Sequence, residues 1–374
     1  MFRSTLTNLM RILGRAKIAR PREAHSPISR RRWLTACLRT PVVGGLAWAA
    51  MRQCGYISHE ERLLADEPET DPVATADNAP TEPDAVTTPS QRVINWRSID
   101  DLKGRVPKSK IGDLKLSRMI LGGNLIGGWA HARDLIYVSD LVKAYHTKEK
   151  IFGTFHLAEA CGINTILTNP FICEMMQEFW SEHQGRIQFI SDCGGSASSL
   201  LAETQKSIDA GASACYVQGA IADKLVETEN FDLFGEALEL VRSNGLPAGI
   251  GAHKLATVKA CVERGYKPDF WMKTLHHTNY WSAQNPTQHD NIWSESPEET
   301  VAYMNDIEEP WIAFKVLAAG AIHPRIGFKY AFESGADFIC VGMYDFQVVD
   351  NANLALDVLN GDLARERPWR TETV

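Results

Sequence analysis

From about Ser117 onward the chain repeats one unit eight times: a short apolar run that closes on polar residues, then an amphipathic stretch of helical periodicity. That alternation specifies a parallel sheet with helices packed on it, since parallel strands need helical crossovers and are buried on both faces. Strands are expected at Arg118 to Gly123, Ile163 to Asn169, Arg186 to Asp192, Ala212 to Gln218, Pro247 to His253, Asp269 to Thr274, Trp311 to Gly320 and Ala336 to Met343. Helices are expected at Glu149 to Cys161, Phe171 to His183, Ser199 to Ala210, Phe231 to Ser243, Leu255 to Arg264, Pro297 to Asp306, Arg325 to Ser334 and Val348 to Leu359. Gly162, Gly185, Gly211, Gly245, Gly265 and Gly335 each fall just before a strand, where a helix ends on a left-handed residue. Eight such units make an α/β fold of the (β/α)8 TIM-barrel type, in which the carboxyl ends of the strands build the active site.

The first hundred or so of the 374 residues look different, and what remains is about the 250 residues typical of such a barrel. Residues 1–50 read as a signal segment, 51–105 as a largely disordered linker and 106–374 as the barrel domain. The net charge of −7 hides a segregation: Arg and Lys crowd the front, while Asp66 to Ser90 is acidic, rich in Pro and Thr, and free of aromatics. No nucleic-acid partner is expected. The eight cysteines show no zinc-site spacing, and Cys193, beside Asp192, alone has an active-site address.

Ser29-Arg30-Arg31-Arg32-Trp33-Leu34 is similar to a twin-arginine export signal, and the apolar run Pro41 to Met51 behind it is too short to span a bilayer. Ala47-Trp48-Ala49 offers a cleavage site. The expectation is a periplasmic or otherwise exported protein, with the twin-arginine machinery as its transport partner and no stable membrane insertion after cleavage.

Lys273 and Lys315 sit at the ends of consecutive strands. Burying two lysines near each other favours the neutral, nucleophilic amine. Strand alternation over Trp311 to Gly320 turns Ile312, Phe314, Val316 and Ala318 outward and Ala313, Lys315 and Leu317 inward. By the same rule Asp192 faces inward with Ile190, and His253 shares a face with Gly249 and Gly251, which would leave room for a ligand. Lys273 and Lys315 are the catalytic candidates, with Asp192 and His253 for proton transfer. Asn124, Asn169, Gln218, His276, His277, Trp281 and Asp345 are candidates for substrate binding. The loop Thr278 to Ser296, with Tyr280, Trp281, His289, Asp290 and Trp293, is long enough to lid the site.

Asp269-Phe270-Trp271-Met272-Lys273-Thr274 and Phe314-Lys315-Val316-Leu317-Ala318-Ala319-Gly320-Ala321-Ile322 resemble the sixth- and seventh-strand segments of class I aldolases of the deoxyribose-phosphate aldolase type. The resemblance covers the last third of the barrel. It implies a Schiff base on Lys273, with Lys315 depressing its pKa. It departs where Leu275-His276-His277 replaces the family's Ser-Thr-Gly, and where Lys315 stands two residues further from Ala-Ala-Gly. The chain as a whole resembles an uncharacterised group of exported bacterial TIM-barrel proteins that share the Leu-Gly-Gly-Asn, Lys-Thr-Leu-His-His and Phe-Lys-Val-Leu-Ala-Ala-Gly-Ala-Ile segments. Ile111 to Arg118 is similar to the amino-terminal hairpin of aldo-keto reductases. Their catalytic Asp and Tyr have no counterpart where Thr168-Asn169-Pro170 stands.

The expected activity is that of a lyase, aldolase-like, or an isomerase acting on a small carbonyl or carbohydrate-derived compound without a cofactor. Two rivals stand beside it. His253, His276, His277 and Asp345 have the chemistry of divalent-metal ligands, which would make a metal-dependent hydrolase or isomerase. The third reading is a non-catalytic periplasmic binding barrel.

Overall fold

The computed structural model describes residues 97–131, 133, 135–284 and 290–374. The signal segment, the linker up to residue 96, Cys37, Cys54 and His289 lie outside the described residues, as does the side chain of Trp281.

A hairpin of β1 (Lys108–Ile111) and β2 (Leu114–Ser117) precedes eight parallel strands: β3 (Met119–Gly122), β4 (Thr165–Thr168), β5 (Gln188–Cys193), β6 (Ala214–Val217), β7 (Ala248–Ala252), β8 (Phe270–Thr274), β9 (Trp311–Phe314) and β10 (Phe338–Gly342). They close in sequence order, β10 pairing with β3, into the barrel expected from the eight units. The helices are α1 (Val138–Tyr145), α2 (Lys148–Ala160), α3 (Cys173–Glu182), α4 (Leu200–Asp209), α5 (Gly219–Glu227), α6 (Asp232–Ser243), α7 (Leu255–Glu263), α8 (Pro297–Asp306), α9 (Pro324–Glu333) and α10 (Asp345–Asn360). Helices α1 and α5 were not expected from the sequence, and both border the site described below. Five of the six glycines named as helix terminators have positive φ; after α3, Gln184 (φ 55°) takes the left-handed position one residue before Gly185.

Period-two alternation sorts the strand residues into two layers. Ile120, Leu167, Ile190, Phe270, Ile312 and Phe338 fill the barrel, and Ile111 and Leu116 of the hairpin join the same cluster and cap it. Leu121, Ile166, Phe189, Ile250, Trp271 and Trp311 pack outward on the helices. Cys193 belongs to this outer layer, so it has no active-site address.

The expected inward set on the ninth strand requires correction. Ile312 and Phe314 lie with the interior cluster, whereas Ala313 packs outward. The strand ends at Phe314, and Lys315 adopts φ +60°, so the alternation does not run on to Gly320. Lys273 stands in register with Ala252 and Ala313, hence on the outward face with Trp271.

The far end is sealed by ion pairs. Asp337 lies 2.7 Å from Arg367 and 3.6 Å from Arg365, all of them buried or nearly so. Residues 97–105, assigned to the linker, are anchored on α10: Asn353 accepts from the Lys103 amide at 2.8 Å and donates to the Asp101 carbonyl at 2.9 Å.

Candidate active site

A cavity of about 1360 Å³ opens at the carboxyl ends of the strands. Seven residues expected at the site line it: Asn124, Asn169, Asp192, Gln218, His253, Lys273 and Lys315. His276, His277 and Asp345 do not.

Lys315 owes its position to its backbone. A left-handed, non-glycine residue costs about 1–2 kcal/mol and persists where the surroundings impose it. This turn carries the ammonium to 3.8 Å from the centre of the Trp293 ring and into a hydrogen bond with His131 Nε2. Burial brings its pKa down to about 7, against the opposing pull of Asp290. Burial likewise lowers His131 to about 4, with the Lys315 charge adding to it, so the imidazole is neutral at pH 7. His131 Nδ1 lies 3.8 Å from Asp290 Oδ2, and the Asp290 carboxylate also accepts the Arg133 amide. Carboxylate, imidazole and amine thus lie in line, with a hydrogen bond between the amine and the imidazole and a longer electrostatic contact between the imidazole and Asp290.

Lys273 is only 1 % exposed. Its Nζ donates to the carbonyls of His253 at 2.7 Å and Thr274 at 3.0 Å. Burial lowers its pKa to about 8, and the charge it feels is the favourable one of Asp223. Each lysine is therefore depressed by desolvation and faces an acid, rather than being depressed by the other lysine.

His253 pairs with Asp223 of α5 at 3.2 Å, and its ring lies 5.4 Å from that of Trp293. The space expected beside Gly249 and Gly251 is already filled. A methyl at Gly249 would meet Phe270 at 2.5 Å, and one at Gly251 would meet Gly219 and Tyr216 within 2.9 Å. Asp192 faces the barrel interior, and its Oδ1 is buried with no hydrogen-bond partner among the described residues. Burial holds its carboxyl well above the usual carboxylate range, which favours the protonated acid.

The residues considered as metal ligands do not assemble. His276 is fully buried; its Nδ1 bonds the His277 carbonyl at 2.9 Å, and its Nε2 accepts the amides of Trp293 and Ser294, both at 3.0 Å. Both ring nitrogens are engaged, and the ring pins the segment that carries Trp293. His277 Nδ1 accepts the Asn279 amide, and its ring packs on Tyr330. Asp345 is held by Tyr145 at 2.5 Å and Lys150 at 2.8 Å. Among the described residues, the one group with metal-ligand spacing is Glu178, Glu182 and His183, on and just after α3.

Sequence reasoning singled out neither His131 nor Asp223. His131 lies in a segment left without structure, and Asp223 on the unexpected α5. The long loop after β8 did signal Trp293.

No protein-family model matches the chain, and no curated protein matches it. Among solved structures, it is similar to a candidate aldo-keto reductase from Pseudomonas aeruginosa, at 17% identity and TM-score 0.49 over 71% of this chain and 100% of the other. A candidate dihydrodipicolinate synthetase from Pseudomonas aeruginosa shares 14% identity at TM-score 0.39, over 58% and 72%. A truncated 3-deoxy-D-arabino-heptulosonate 7-phosphate synthase from Thermotoga maritima shares 12% at TM-score 0.41, over 68% and 92%. These likenesses concern the barrel alone and leave the reaction to be argued from the site.

Proposed function

We propose that this barrel is an enzyme of the lyase or isomerase type that acts on a carbonyl or carbohydrate-derived compound through an imine, with Lys315 as the nucleophile. The supporting observation is the Lys315 amine, with its pKa near 7, in the cavity between His131 and Trp293. Neutral Lys315 Nζ attacks the carbonyl carbon: the N–C bond forms, the C=O π pair moves to oxygen, and that oxygen takes a proton. A second proton carries the oxygen away as water and leaves a protonated imine. That imine accepts the electron pair of an adjacent C–H or C–C bond. His131 receives the amine proton, while His253 and the Asp192 carboxyl exchange protons with the substrate.

The aldolase resemblance implies the nucleophile's role for Lys273. Its near-complete burial and two carbonyl partners favour a different one, fixing the His253 backbone and balancing Asp223.

Incubation with glycolaldehyde and borohydride should add a covalent mass to Lys315, and Lys315→Met should abolish it. Labelling confined to Lys273 would return the nucleophile to that residue. No adduct with any of a broad panel of aldehydes and ketones would remove imine chemistry.

Export belongs to the same proposal, on the strength of Arg30 and Arg31. Residues 1–91 should carry a folded reporter to the periplasm, and replacing both arginines by lysine should retain it in the cytoplasm.

A further inference from the structure

Trp129, between β3 and α1, borders the cavity yet remains 46 % exposed. An indole this open at a cavity mouth calls for a reason, and its surroundings supply one. The ring lies against the backbone of Gly127, where a Cβ would come within 2.3 Å of two of its carbons. Phe171, itself 44 % exposed, braces it at 4.8 Å with the planes at 83°. The ring is thus packed against two neighbours, and an aromatic surface held in this way loses little side-chain freedom on binding.

The Lys143 side chain lies along the backbone of neighbouring Gly128, and uncharged amides stand at the strand ends. Asn124, Asn169 and Gln218 close three of the barrel strands and line the same cavity. Asn169 Oδ1 accepts the Phe171 amide at 3.1 Å, which leaves its NH₂ group to donate to a ligand. On the α5–α7–α8 rim Lys254 and Lys224 share Glu227 at 2.7 Å and 3.4 Å and Lys259 pairs with Glu299 at 2.6 Å, while Glu295 lines the same cavity, so these three lysines face three glutamates. That rim offers little net attraction to an anion. The cavity, at about 1360 Å³, exceeds the roughly 1,000 Å³ upper range of ordinary small-molecule pockets.

From these observations we infer that Trp129, braced by Gly127 and Phe171, is the stacking platform of a saccharide subsite, and that the substrate is a neutral sugar of more than one residue. The inference deepens the proposed reading by naming the substrate class. It rests on that reading for the chemistry alone, since stacking needs no amine.

Calorimetric titration should be run with maltotriose, cellotriose and xylotriose, with trigalacturonate as the anionic comparison and naphthol as the apolar one. At least one neutral trisaccharide should bind, and more tightly than its monosaccharide. Trp129→Ala should weaken it at least tenfold. Gly127→Ala, which keeps the indole but displaces it, should weaken it several-fold. Ile136→Ala, at the most exposed apolar residue of the same segment and outside the cavity lining, should change nothing. The inference is overturned if no neutral saccharide binds, if trigalacturonate or naphthol binds better, or if both Trp129→Ala and Gly127→Ala bind as the parent does. Borohydride labelling of the parent protein with glycolaldehyde reports separately on Lys315, so either reading can fail alone.

Discussion

His253 Nδ1 lies 3.2 Å from Asp223 Oδ2, and the same carboxylate accepts the His253 amide at 3.3 Å and the Thr257 hydroxyl at 2.6 Å. Burial pushes the Asp223 pKa up, but the hydrogen bonds from His253 and Thr257 outweigh it and hold the acid below its usual value. An ionised Asp223 fixes the proton of the ring on Nδ1 and frees the Nε2 lone pair. Lys273, bonded to the His253 carbonyl, holds the same residue from its other side.

Asp223→Asn should therefore separate proton transfer from amine chemistry. Deuterium exchange from solvent into the carbon next to a bound carbonyl should fall about 100-fold, the scale of a lost general base. Borohydride labelling of Lys315 should persist. Equal losses in both would make Asp223 scaffold only.

The two lysines should have opposite effects on stability. Lys315 has a folded pKa of about 7 against 10.5 for the free side chain, so between those values the unfolded chain binds more protons and stability rises with pH. Its removal in Lys315→Met should stabilise the fold, most below pH 7, with the advantage fading as pH rises toward 10.5. Lys273, with a folded pKa of about 8, carries the same linkage more weakly, but Lys273→Met also strands the carbonyls of His253 and Thr274, at about 1–3 kcal/mol, so the net loss should be clearest above pH 8. Urea unfolding at several pH values decides both.

Much of this protein can be read in its sequence, for identifiable reasons. Barrel strands are apolar on both faces and bounded by glycine and polar residues, so their places are legible to within a few residues, apart from the overlong reading of β9. Asp192 and His253 were placed on the correct face because β5 and β7 stay regular to their ends. Lys315 reaches the cavity although alternation gave it the wrong reason, since no periodicity reports a left-handed residue. Asp223 was missed because α5 follows β6 without an intervening loop. His131 meets Lys315 across 184 positions of sequence, a contact that exists only after folding.

His276 gives an acid-stability prediction. Burial lowers its pKa to about 4, and its neutral Nε2 holds the Trp293 and Ser294 amides. The unfolded chain binds the proton first as pH falls below 6.5, so stability should drop between about pH 6.5 and 4. His276→Ala should be about 1–3 kcal/mol less stable at pH 7, because two buried amides lose their acceptor, and should lose less over that window. Parallel stability curves would assign the acid transition elsewhere.

Buried Asp337 and Arg367 offer a test of the barrel's closed end. Asp337→Ala leaves the guanidinium groups of Arg365 and Arg367 without their carboxylate in a dry site, which should cost about 3–5 kcal/mol. Replacing Asp337 and Arg367 together by apolar residues should cost less than the single change. Thermal unfolding of both variants checks the order, and a double variant no more stable than the single would show that packing dominates there.

The chain from Asp290 through His131 to Lys315 should be visible in the pH dependence of labelling. Imine formation needs the neutral amine, so the labelling rate should rise with pH through a midpoint near 7 and then level off. Asp290 pulls the Lys315 pKa upward, so Asp290→Asn should move the midpoint below 7 and raise the neutral fraction at acid pH. It also removes the anion beside His131 Nδ1, so the plateau rate should fall even as the midpoint drops. His131→Ala removes the base and should lower the plateau further. A midpoint near the ordinary lysine value of 10.5 in the parent protein would mean that Lys315 is not held in a dry site. An Asp290→Asn midpoint that moves upward would place the controlling charge somewhere other than Asp290.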